Sequence, residues 1–151
     1  VDVDDVVFDV LGTSPRPADL AIDIDGVTPV RMKGDGAQLR RLVRNLVDNA
    51  NRHAESRVAV SLTESDGVVT LLVDDDGPGL EHEAAEVIFE RFGRTDASRA
   101  RHEGGTGLGL AIAARIAEGH GGSIAVDRSD MGGARFRVDV PVDVPPAGSN
   151  A

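Results

Sequence analysis

The sequence predicts an α/β (α+β) fold in which a mixed sheet carries its helices on one face. Three observations lead there. Segments of strand and helix character come in the order strand, helix, hairpin, loops, helix, hairpin. Val68 to Val73 is apolar along nearly its whole length, which suits a central strand flanked on both sides. Gly107 to Glu118 is apolar over most of its circumference, which suits a buried helix.

Taken in order, Val1 to Leu11 reads as the end of a connection from an upstream segment, and Gly12 to Pro17 as a turn-rich patch. Ala21-Ile22-Asp23-Ile24 and Val30-Arg31-Met32 alternate in polarity and are expected as short strands. Asp35 is placed to cap a helix on which Leu39, Leu42, Val43, Leu46, Val47 and Ala50 recur at helical spacing. Val58 to Thr63, Val68 to Val73 and Ser123 to Asp127 are strand candidates. Ala134 to Val140 alternates cleanly, with Phe136, Val138 and Val140 on one side and Arg135, Arg137 and Asp139 on the other. The last stretch, Pro145 to Asn150, is expected to be disordered.

Composition narrows the function. The 151 residues suit one domain, and 40% hydrophobic content fills one core. The chain opens at Val1 rather than Met and reads as a piece of something longer. Without cysteine there is no disulfide, thiolate zinc site or thiol chemistry. Sixteen basic against 26 acidic side chains leave a net charge of −10, which disfavours nucleic acid and anionic membranes as partners. Lys33 is the only lysine and no Gly-Lys-Ser/Thr occurs, so a Walker-type phosphate loop is absent. Four Phe and no Trp or Tyr argue against a base-stacking platform.

Four clusters carry chemistry. Asn45, Asn49, Arg52 and His53 share one edge of the first helix, beside its apolar arc. Two Asn one turn apart either brace a loop or offer an amide oxygen to a hard cation such as Mg²⁺. Asp74-Asp75-Asp76-Gly77-Pro78-Gly79-Leu80 comes directly after the apolar strand. Three adjacent carboxylates repel one another and exceed what a turn needs, and an Asp there can accept from an exocyclic amine. Glu103-Gly104-Gly105-Thr106-Gly107-Leu108-Gly109-Leu110 opens the buried helix, where converging N–H groups suit a phosphate. It departs from the dinucleotide fingerprint, because Leu110 stands at the third glycine position. Arg91, Arg94, Arg99 and Arg101 face only Asp96 in their stretch, a local basic patch in an acidic chain. Phe89 and Phe92 lie at its start and are expected to pin its base.

In this order the clusters resemble the ATP-binding domain of bacterial sensor histidine kinases. Leu42 to Ala50 resembles the N box, Asp75 to Gly79 the first glycine box, Phe89 to Phe92 the F box, and Gly105 to Leu110 the second glycine box. His120-Gly121-Gly122 and Gly132-Gly133-Ala134-Arg135-Phe136 match the closing pattern. The resemblance covers roughly residues 20 to 141. It implies the fold shared with gyrase, MutL and heat-shock chaperones: a two-layer sandwich with a mostly antiparallel sheet of about five strands and about three helices. It also implies boundaries: 1–17 as a connection from dimerisation and phosphoacceptor helices, 18–142 as the ATP-binding domain with a lid at 93–104, and 143–151 as a disordered tail.

By the same resemblance Asn49 holds Mg²⁺ and Asp75 accepts from the adenine amino group. Arg52 approaches the phosphates, and His53 stands where an aromatic ring often lies beside adenine. Gly77, Gly79 and Leu80 shape the base pocket, with Phe89 at the base of the lid. Gly105, Thr106, Gly107, Leu108, Gly109 and Leu110 form the phosphate-side loop, with Arg99 and Arg101 reaching in from the lid. Asn45 holds the catalytic position at which hydrolysing relatives carry a general-base Glu. An amide cannot take a proton from water, whereas a neutral imidazole acceptor is already nucleophilic, which favours a histidine kinase over an ATPase switch. A non-catalytic nucleotide sensor is the other alternative, though its ligands should have been lost.

Ala134 stands where relatives often place a Thr. The phosphoacceptor is absent from the chain, since His82 lacks the Arg-Thr-Pro that the acceptor motif requires. The implied setting is the cytoplasmic part of an inner-membrane, homodimeric sensor. Its partners would be its own upstream phosphoacceptor domain and a downstream response regulator, with the fragment itself monomeric.

Overall fold

The computed structural model describes residues 1–78 and 106–143. Its five-stranded sheet has the order β1-β2-β3-β5-β4. The strands are β1 Ala21–Val27, β2 Arg57–Ser65, β3 Val68–Asp75, β4 Ser123–Arg128 and β5 Ala134–Pro141. All neighbours pair antiparallel except β1 and β2, which run parallel. A parallel pair needs a crossover, and α2, Gly36–His53, supplies it. Two further helices, α1 Val3–Thr13 and α3 Thr106–Gly119, both pack against α2.

The elements arise from local chemistry. Asp35 caps α2 by accepting from the Gln38 N–H at 3.1 Å. Leu39, Leu42, Val43, Leu46, Val47 and Ala50 are all buried, as their spacing required. The β2–β3 hairpin turns at Asp66 and Gly67, whose φ values of 53° and 80° suit a two-residue turn. β3 is central, and Val69, Leu71 and Val73 point into the same core as Phe136, Val138 and Val140 of β5.

The opening stretch, read as a connection, is helical, and α1 places Val3, Val6, Val7, Val10 and Leu11 in the core. One expectation changes. Val30-Arg31-Met32 is not a strand. It forms a single bridge between Arg31 and Asp2 and lies along the start of α1. The Val3 N–H donates to the Val30 carbonyl at 2.8 Å, and the Met32 N–H to that of Val1 at 2.9 Å. The chain has left the sheet here to cross over through α2, so the alternation of this segment seats Val30 and Met32 beneath α1. Residues 144–151 of the expected tail lie outside the described residues.

Candidate functional site

The amphipathic pattern of α2 sets the first wall. Its apolar arc faces the sheet, so the adjoining edge is held at the border of the core. Asn49 is 7% exposed there. Asn49 Oδ1, Asn45 Nδ2 and His53 Nε2 are buried and have no hydrogen-bond partner among the described residues. Leaving such atoms unsatisfied costs roughly 1–3 kcal/mol each. The three lie along one helix edge, and Asp48 Oδ1 and Asn51 Oδ1 elsewhere on α2 are likewise buried without a partner among the described residues. The start of α3 meets the same edge, since a Cβ on Gly109 would sit 3.9 Å from Asn45 Cγ.

The second wall is the end of β3, where the three carboxylates have three fates. Asp74 forms a bidentate pair with Arg135 on β5, both contacts at 2.9 Å. Asp76 Oδ1 accepts from the N–H groups of Glu55, Ser56 and Arg57, at 2.9, 2.9 and 3.0 Å. Those donors hold its carboxyl far below the ordinary range, with the Ser56 hydroxyl on Oδ2 contributing most. Two of the three therefore have structural work, which corrects the expectation that a turn would not need them.

Asp75 is different: it is 1% exposed. Its Oδ1 accepts from Gly77 N–H at 2.9 Å and Ala134 N–H at 3.3 Å. Burial raises its pKa, while the two N–H donors and the nearby His53 oppose the rise. The Ala134 contact is made by the backbone, so Ala suffices there for this bond.

Two glycines let the chain wrap this carboxylate. A Cβ on Gly77 would fall 2.0 Å from the His53 carbonyl oxygen, and one on Gly133 would fall 2.2 Å from Asp75 Oδ1. Sequence reasoning does not single out Gly133 as a site residue, although Gly132-Gly133 directly before an alternating strand is a readable signal.

Asn45, Asn49, His53, Asp75, Gly77 and Gly109 thus line one region. Leu110 does not join it through its side chain, which is 1% exposed and seats α3 in the core. Arg52 lines an open groove of about 540 Å³ with Pro15, Arg16, Pro17, Asp48 and Asn51. Thr106, Gly107 and Leu108 open α3. Gly79, Leu80, Phe89, Arg99, Arg101, Gly105 and the expected lid at 93–104 lie outside the described residues.

The described residues thus set a buried carboxylate at a strand end against an amide-bearing helix edge, on an α/β sandwich. The family described as histidine kinase-, DNA gyrase B-, and HSP90-like ATPase matches residues 34–144, and the chain belongs to it. It is 45% identical over 132 residues to the sensor protein RstB of Escherichia coli (strain K12), covering 80% of this chain and 30% of RstB. It is 38% identical over 126 residues to the signal transduction histidine-protein kinase AfsQ2 of Streptomyces coelicolor, covering 83% of this chain and 23% of AfsQ2. The chain therefore spans less than a third of the length of these curated relatives.

Among solved structures, the mycobacterial sensor histidine kinase MprB superposes with a TM-score of 0.79 at 31% identity, covering 96% of this chain and 97% of that one. The ATP binding domain of PrrB from Mycobacterium tuberculosis gives 0.72 at 30% identity, covering 94% and 95%. The expected two-layer sandwich is the fold observed. No helix among the described residues is long and apolar enough to cross a membrane.

Proposed function

We propose that the domain binds Mg-ATP and donates its γ-phosphate to a histidine on a separate upstream dimerisation domain, in two-component signalling. One observation carries the reading: polar atoms of Asn45, Asn49 and His53 that have no partner among the described residues lie along one helix edge beside the buried carboxylate of Asp75. The relatives are named as a sensor protein and a signal transduction histidine-protein kinase, and a related structure, full-length ShkA at 30% identity and a TM-score of 0.74, is described in complex with AMPPNP.

Asp75 is assigned to the adenine amino group. Its Oδ1 is already engaged by two N–H donors, which fixes the plane of the carboxylate and orients Oδ2 as an acceptor. Asn49 Oδ1 is a hard, neutral oxygen without a partner among the described residues, a fit for Mg²⁺, which supplies charge neutralisation on the phosphates when bound. Asn45 is assigned to the phosphate end with Gly109 beside it. Being an amide, it cannot deprotonate water, and that disfavours an ATPase switch. Arg52, Arg99 and Arg101 are assigned to the phosphates on sequence alone, and the loop from Gly105 to Leu108 to the helix N-terminus that cradles them.

A domain consuming ATP in this way belongs on the cytoplasmic side of a sensor protein. Its partners are the phosphoacceptor domain and a response regulator. The test joins the chain to its native upstream segment and supplies γ-labelled ATP. Label is expected on a histidine of that segment; phosphate released to water instead, with none on the segment, would falsify the kinase reading in favour of the ATPase.

A further inference from the structure

We propose that Asp76 is a positioning residue for nucleotide recognition, setting Asp75 and His53 relative to each other without touching the ligand. The inference rests on the assignment of Asp75 to the base. Asp76 lies between the two walls of the site. Its Oδ1 gathers the three successive N–H groups of Glu55, Ser56 and Arg57, and its Oδ2 accepts from Ser56 Oγ at 2.5 Å. Its own N–H returns a bond to the Arg57 carbonyl at 3.2 Å. The carboxylate therefore closes the turn after α2 and, by the same atoms, fastens that turn to the end of β3.

The next residue, Gly77, makes the spacing exacting. It lies so close to the His53 carbonyl that no Cβ fits, and its N–H holds Asp75 Oδ1 at 2.9 Å. If the turn drifts by a few tenths of an ångström, the Gly77 N–H moves with it, and the plane of the Asp75 carboxylate turns. His53, on the last turn of α2, shifts relative to Asp75 in the same motion. Backbone N–H groups are a better hold than side chains here, because a carboxylate satisfied three times over by amides has no competing rotamer to occupy. Asp76 itself stays at the protein surface end of this arrangement, bonded to the turn and not to the site.

The role predicts a selective loss. Affinities for ATP and for inorganic tripolyphosphate, which has no base, are measured by calorimetry on the wild type, Asp76→Ala, Asp76→Asn and Asp75→Asn, with far-UV circular dichroism on each. Asp76→Ala should bind ATP about tenfold more weakly, the scale of a lost hydrogen bond to a charged group. Tripolyphosphate affinity should stay within about twofold, because the Asn49 end is not fastened by Asp76. Asp76→Asn keeps an Oδ1 acceptor and should restore ATP affinity to within about threefold.

Wild-type ATP affinity in a folded Asp76→Ala overturns the proposal. So does an equal loss for both ligands, which marks a merely structural residue. Should Asp76→Ala not fold, Ser56→Ala carries the test: a twofold to threefold loss for ATP alone supports the proposal, and unchanged ATP affinity overturns it. Asp75→Asn binding ATP like the wild type sinks the assignment of Asp75 instead, and is read independently of the Asp76 variants.

Discussion

Asp75 is held where its charge is costly for folding and useful for binding. Burial raises its pKa, so in the window above the ordinary carboxylate value of about 3.9 the folded state binds the proton more tightly than the unfolded state. Its ionised form therefore lowers stability as pH rises through the raised value. Asp75→Asn keeps an acceptor for Gly77 and Ala134, and removes that charge. At pH 7 the variant should melt at or above the wild-type temperature while losing adenine-nucleotide affinity by an amount on the order of 2–4 kcal/mol, a donor replacing an acceptor. Thermal melts beside calorimetry check both halves; a large drop in melting temperature would give Asp75 a structural role.

Asn49→Ala should weaken magnesium-dependent ATP binding more than metal-free binding, because its Oδ1, without a partner among the described residues, is assigned to the cation. Equal losses in magnesium and in chelator would return Asn49 to packing. That Asn45, Asn49 and His53 share one edge of α2 is legible from helical spacing, and the place of Asp75 at the end of β3 from the apolar run before it. The roles of Asp76 and Gly133 are not. They depend on which backbone comes close, and backbone proximity between residues twenty or sixty apart leaves no local pattern.

At the scale of elements, α2 is legible because cap and periodicity agree. α1 is not, although Val3, Val6, Val7, Val10 and Leu11 sit at helical spacing. Val is a modest helix former, and the Asp residues between them read as a solvated connection. Burial overrides helix propensity there. If α1 is core rather than tether, Val10→Ala should cost about 2 kcal/mol in urea unfolding, whereas a tether would tolerate it. Leu46→Ala, on the fully buried arc of α2, should cost about 2–5 kcal/mol by the same measurement. Val30 and Met32 show the converse error: alternation signals one buried side, and a strand is only one way of having one. The expected lid at 93–104 rests on sequence alone.

For the whole molecule, the two neighbouring carboxylates Asp75 and Asp76 separate binding from folding on an acid titration. Asp76 is held far below the ordinary range, so its contribution is present above about pH 4 and is lost only as pH falls through that depressed value. Asp75, raised, takes up its proton earlier, and a proton on Oδ2 turns that oxygen from an acceptor into a donor. ATP affinity should therefore decline on acidification while far-UV circular dichroism stays native; simultaneous collapse of both signals would contradict this ordering. The sheet order has one more consequence, for the making of the protein. β5 is the last of the described strands, yet it lies inside the sheet, and its Ala134 N–H completes the bonds on Asp75 Oδ1. Until that strand emerges from the ribosome, β3 has one bare edge and the carboxylate lacks one of its two donors. A chain that stops short of it can form α2 and still leave the Asp75 carboxylate held by Gly77 alone, so the last described strand is the one that completes the setting of this carboxylate.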